Sequence, residues 1–144
     1  MRSFYRPVDK TKGDRVKHEA QGASIHRGAE VVSAKRLAGL AMAVGSPSSA
    51  ETAHLVPFFG PTIAGEEHFV DVLGLDLSRA LLGGLSYEWV RPFREDETVD
   101  VEVFVDKVFD KGDNRFGIVV TEFKDSAGAL IQRQSATFIE RGAA

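Results

Sequence analysis

The sequence predicts an α+β domain in which an antiparallel sheet lays one face against a helix, and three observations predict it. Residues 33–45 carry the 3.6-residue period of a helix, residues 85–139 carry the two-residue period of strands, and that second block is cut by short polar turns. Strands gathered in one run after a helix, instead of alternating with helices, are the mark of an α+β and not an α/β arrangement.

A chain of 144 residues with 43% hydrophobic side chains can fill one core but hardly two. Its 18 basic and 21 acidic residues are interspersed and sum to −3, which leaves no basic face for a nucleic-acid backbone. With no cysteine, a disulfide, a thiol nucleophile and a cysteine metal site are all excluded; the four histidines show no i, i+4 pairing, so no metal site is expected. Residues 1–13 are polar and charged, without the apolar stretch of a signal peptide, and no later run reaches membrane-spanning length. The expectation is a cytoplasmic protein with no membrane span.

Taken in order, residues 1–27 are rich in Lys, Arg, His, Gly and Gln and read as an N-terminal arm ahead of a domain over 28–144; residues 20–32 are either a short strand or a lead-in to the first helix. That helix starts at Ser33, a residue suited to N-capping, and stops at Gly45. Leu37, Leu40, Ala41 and Val44 fall at i, i+3, i+4 and i+7 and give it one apolar stripe. Residues 46–52 have loop composition, and prolines keep the apolar segment 56–61 irregular. A second helical region is expected over 62–73 and a short turn over 77–82, broken by Gly83 and Gly84.

Strand patterning then takes over. Residues 85–91 alternate up to Pro92, and Val99, Val101, Val103 and Val105 alternate with polar or aromatic neighbours. A turn at 110–114 leads into a strand with Phe116, Ile118, Val120 and Glu122 along one side, and a turn at 125–128 leads into a last strand over 130–139. Four consecutive strands on short turns are expected to form an antiparallel meander. Its open edge and apolar face invite pairing, so a homodimer or a heterodimer is expected.

Several blocks in this half, in order and spacing, resemble the N-terminal MaoC-like dehydratase family: Leu73-Gly74-Leu75-Asp76-Leu77, Leu82-Gly83-Gly84, Trp89-Val90-Arg91-Pro92-Phe93, Glu97-Thr98-Val99-Asp100-Val101, and Asp125-Ser126-Ala127-Gly128 with Arg141. With the opening helix, the resemblance spans roughly residues 28–141. It implies a single hot-dog domain, an antiparallel sheet wrapped around a central helix. The implied substrates are acyl thioesters on coenzyme A or acyl carrier protein, and the implied reaction is reversible hydration of enoyl thioesters to (R)-3-hydroxyacyl thioesters without a further cofactor. Relatives commonly act as paired hot dogs, one half catalytic and the other shaping the acyl tunnel.

Hydrating a conjugated thioester needs a base for water, an acid for C2 and donors for the developing enolate. In the family these proton transfers belong to an Asp and a His in Gly-Asp-x-Asn-Pro-x-His after the first helix. Counted from Gly45, Ser46 stands for the Asp and Glu51 for the His, so neither type matches. Glu51 and His54, the nearest imidazole, are the catalytic candidates, set against His54 as an ordinary loop histidine. His68 reads as a helix-face residue, and His18 and His26 as part of the leader. For substrate binding, Phe58, Phe59, Gly60 and Pro61 either wall an acyl tunnel or pack as core. Gly83 and Gly84 either let backbone approach the thioester or simply make a turn. Arg91, Arg94 and Arg133 either meet coenzyme A phosphates or lie on solvated faces. Three functions remain open at this level: a hydratase half that lacks its complete dyad, a non-catalytic acyl-CoA-binding hot dog, and an acyl-CoA thioesterase using Glu51 or Asp71.

Overall fold

The computed structural model describes residues 16–33, 35 and 59–142. The expected first helix, apart from Ser33 and Lys35, lies outside them, as do Glu51, His54 and Phe58. The described residues form a five-stranded antiparallel sheet of β1 Ser24–Val32, β2 Ala80–Trp89, β3 Glu97–Lys111, β4 Asn114–Lys124 and β5 Leu130–Glu140, with one helix, α1 Glu66–Leu73. The strand order is β1-β3-β4-β5-β2.

This order corrects the expected four-strand meander. β3, β4 and β5 do follow one another, but β2 pairs with β5 at the far edge and β1 takes the place beside β3. Three strand spacings separate β2 from β3, about 14 Å, and the seven residues 90–96 reach at most about 25 Å, enough to cross one end of the sheet. Local periodicity identifies strands but carries no information on which strands pair. Phe93 anchors the crossing, edge-on to both Trp89 and Phe123 with centroids 5.4 Å apart in each case. Arg91 closes it with two hydrogen bonds to the Glu97 carboxylate, at 2.7 and 3.0 Å. Burial opposes ionisation of Glu97, but Arg91 and the Arg94 amide outweigh it and hold the carboxyl below its usual range.

Two boundaries also move. The second helix begins at Glu66, not near residue 62, because Gly65 at φ 106° breaks the chain between it and a single 3-10 turn over Gly60–Thr62. The expected turn over 77–82 shrinks to Leu77–Arg79, and the chain is already β2 at Ala80; Gly83 and Gly84 lie inside this strand, at an irregularity between Leu82 and Gly84. A bulge lets a strand absorb one extra residue, so glycines that look like a stop can sit mid-strand. The 27/28 boundary expected between arm and domain falls inside β1, and Val16 and Ala20, upstream of it, are buried in the core.

The valines of β3 bear out the alternation, with Val99, Val101, Val103 and Val105 all buried. Register then fixes the faces. Val103 stands opposite Thr121, Thr121 opposite Gln134, and Gln134 opposite Tyr87, so these residues share the inner face, toward α1. Phe116, Ile118, Val120 and Glu122 therefore share the outer one. The β3–β4 turn is the two residues Gly112 and Asp113, with Gly112 at φ 63°, as a II′ hairpin turn requires.

Helix α1 presents Phe69 and Leu73, four residues apart, to the sheet; each fully buried side chain contributes about 2 kcal/mol of apolar transfer. Gly117 makes room for this contact. A Cβ there would stand 3.2 Å from Leu73 Cδ1 and 3.4 Å from Val16 Cγ1. Glu140, fully buried at the end of β5, accepts the backbone N–H of Val16 at 3.0 Å and of Asp76 at 2.7 Å. One carboxylate thus ties the N-terminal segment and the turn after α1 to the sheet.

Candidate functional site

Two features of the inner face stand out, and both involve the segment that the sequence singles out between residues 58 and 61. The first is an apolar slot of about 190 Å³ whose lining includes Phe59, Phe69, Leu75, Leu82 and Phe138, with Glu66 among its polar groups. Phe69 and Phe138 form one wall, their centroids 4.9 Å apart. Phe59, 38% exposed, stands at the slot while Gly60 and Pro61 beside it are buried.

Gly60 is held by its backbone. Its N–H donates to Gln134 Oε1 at 2.9 Å, and a Cβ built on it would come within 1.9 Å of Thr121 Oγ1, so only glycine lets this turn seat on β4 and β5. Gly83 and Gly84 do not line the slot. A Cβ on Gly83 would meet Ile139 Cδ1 at 2.3 Å, which makes it a packing glycine between neighbouring strands.

The second feature is a buried polar row under that turn. Gln134 Nε2 donates to Gln132 Oε1 at 3.0 Å, and Gln132 Nε2 and Thr121 Oγ1, both in fully buried residues, have no hydrogen-bond partner among the described residues. The row continues onto β1, where His26, in register with Val103, also has a buried ring nitrogen without a partner among the described residues. On β2 the same row ends at Tyr87, 38% exposed, where burial pushes the phenol pKa above its ordinary value.

The histidines and arginines settle into other roles. His68 Nε2 lies 2.6 Å from the Ile25 carbonyl, so it donates there and pins α1 to β1. His18 pairs with Asp110 at 3.2 Å. Arg91 is engaged by Glu97, and Arg133 by Glu122 at 2.6 Å. No group of three or more metal-ligating side chains occurs among the described residues, and none of their helices is long and apolar enough to cross a membrane.

Sequence reasoning passed over Thr121, Gln132 and Gln134. The signal was present: Gln132 and Gln134 share the strand parity of Ala136 and Phe138, so two amides sit on a face that also carries core residues. Only the register, however, says that this parity points inward.

Residues 19–134 match the family model described as FAS1-like, dehydratase domain region. The chain belongs to this family. Solved MaoC-like structures share its fold. The MaoC-like dehydratase from Phytophthora capsici superposes with a TM-score of 0.64 at 17% identity, covering 88% of this chain and 50% of that one, so the present chain spans half its length. The (R)-hydratase from A. caviae involved in PHA biosynthesis gives 0.52 at 20% identity over 88% of this chain and 97% of that one. The ChsH1-ChsH2 complex from Mycobacterium tuberculosis gives 0.60 at 9% identity, covering 85% and 86%. No curated protein matches the chain. The hot-dog expectation is thus borne out, with α1, among the described residues, packed against the sheet.

Proposed function

We propose that the chain is the acyl-binding half of an (R)-specific enoyl-thioester hydratase, paired with a hot-dog partner that supplies the Asp and His for proton transfer. The observation that carries this reading is the apolar slot between Phe59, Phe69, Leu82 and Phe138 in a dehydratase-family chain. It is supported by Ser46 and Glu51 at the positions of the family's proton-transfer pair, since a serine titrates far outside the useful range. The slot takes the acyl chain by burying it, and the thioester is carried on coenzyme A or acyl carrier protein. The hydration adds water across the C2–C3 double bond, forming a C–O bond at C3 and a C–H bond at C2 as the π bond is lost, with no net oxidation or reduction, and so draws on no redox cofactor.

Edge strand β2 favours a paired assembly. Leu81, Leu82, Leu85 and Tyr87 are all exposed on it, and its outer edge has no neighbouring strand among the described residues. The partner is a second copy or a different hot-dog subunit; a heteromeric arrangement has a parallel in the ChsH1-ChsH2 complex.

The test is hydration of a series of enoyl-CoAs by the full chain alone and after co-expression with a hot-dog subunit bearing an intact Asp and His motif. Turnover only in the pair is expected. Robust hydration by the chain alone overturns the division of labour, and release of free thiol that is lost in Glu51→Ala replaces it with thioester hydrolysis.

A further inference from the structure

The polar row under the Gly60 turn has a direction, and its first donor sets it. A backbone N–H can only donate, so Gln134 presents Oε1 to Gly60 and its amide nitrogen turns to Gln132 Oε1. Gln132 is thereby fixed as well, with Nε2 leading onward as a donor that meets no acceptor among the described residues. Flipping the Gln132 amide would only set two NH₂ groups against each other. Thr121, opposite Gln134 in register, is a diagonal neighbour of Gln132, with Cβ atoms about 7 Å apart. Its hydroxyl likewise has no partner among the described residues. Two fully buried groups at the end of a one-way relay make a seat for an acceptor oxygen.

The surroundings say which oxygen. Leu85 and Tyr87, on the inner face of β2 beside Ala136 and Gln134, are each 38% exposed at the edge strand. The same two strands carry Leu82 and Phe138 into the apolar slot. From Gln132 to Phe138 is six residues of β5, about 20 Å. This is the layout for a long apolar chain with an oxygen at one end.

We propose that Gln132 and Thr121 bind the carbonyl oxygen of an acyl thioester whose chain runs along β2 and β5 to the slot at Phe138. The inference rests on the acyl-binding reading above and adds to it where the thioester lies. A donor left facing an analogue without the oxygen penalises that analogue, which gives the test its readout.

The experiment compares binding of hexadecanoyl-CoA, long enough to reach from Gln132 to Phe138, and its thioether S-hexadecyl-CoA, which lacks the carbonyl oxygen, to the full chain. The wild type is expected to prefer the thioester by at least about tenfold. Gln132→Leu is expected to bring the ratio close to one while thioether affinity is kept, and Thr121→Val to lower it partway and to serve if the first variant does not fold. Equal binding of both probes by the wild type, or an unchanged ratio in the variants, overturns the seat and leaves acyl binding standing. Binding of neither probe overturns the acyl-binding reading and the seat with it.

Discussion

The two ends of β5 treat buried polarity in contrasting ways. Glu140 and Gln132 lie on the same strand and face, and both are fully buried. At Glu140 each carboxylate oxygen takes a backbone N–H, from Val16 and from Asp76, so the group is satisfied from within the chain. At Gln132 the amide nitrogen, with the Thr121 hydroxyl beside it, ends without a partner among the described residues. The difference separates a structural clasp from a site. A polar group that the fold itself saturates adds stability, whereas one left with spare valence lowers it and persists where something outside the chain completes it.

The contrast is broken most directly at the clasp. Glu140→Leu leaves two buried N–H groups without acceptors, and an expected loss of about 3 kcal/mol in urea unfolding checks it; Glu140→Gln, which keeps one acceptor, should lose less. Next comes Gly60→Ala, where the new methyl collides with Thr121 and must lift the turn off β4. A loss of about 2 kcal/mol is expected by the same measurement, together with weaker acyl-CoA binding as Phe59 shifts at the slot. Thr121→Val should go the other way. Removing a buried hydroxyl that has no partner among the described residues is expected to raise stability by about 1 kcal/mol, and a lower unfolding midpoint would mean that the hydroxyl is satisfied in the free protein.

The smallest effect concerns pH at the clasp's neighbour. The Ser78 hydroxyl and amide and Arg79 hold the Asp76 carboxyl below its usual value against the opposing effect of burial. A group with a depressed folded pKa contributes stability above its unfolded pKa and loses it as pH falls toward the folded value. The thermal midpoint should therefore stay level down to about pH 5 and decline below about pH 4. Asp76→Asn should flatten part of that decline.

Much of this arrangement could be read from residues alone, and the unread part has a physical cause. The strands from Glu97 to Glu140 follow from alternation and turn chemistry, since Val99 to Val105, Gly112 and Gly128 each state a local preference. The start of β2 was hidden because Gly83 and Gly84 carry the local signature of a break, while their actual setting, a strand irregularity packed against Ile139, is non-local. Of the residues expected to bind substrate, Phe59, Gly60 and Pro61 come together beside the slot through an apolar, proline-marked segment that no regular element absorbs. The polar row escaped notice because glutamine on a strand is by default a solvent-facing residue.

By itself, the sequence determined the fold class, the strands of the C-terminal half, their turns and the family, because these rest on preferences of neighbouring residues and on the spacing of blocks along the chain. Tertiary structure alone decided that β2 crosses to pair with β5, that α1 packs Phe69 and Leu73 onto the sheet, and that Thr121, Gln132 and Gln134 face inward. Pairing and register are set by burial summed over the whole sheet, and a shift of one residue exchanges its two faces without changing any local pattern.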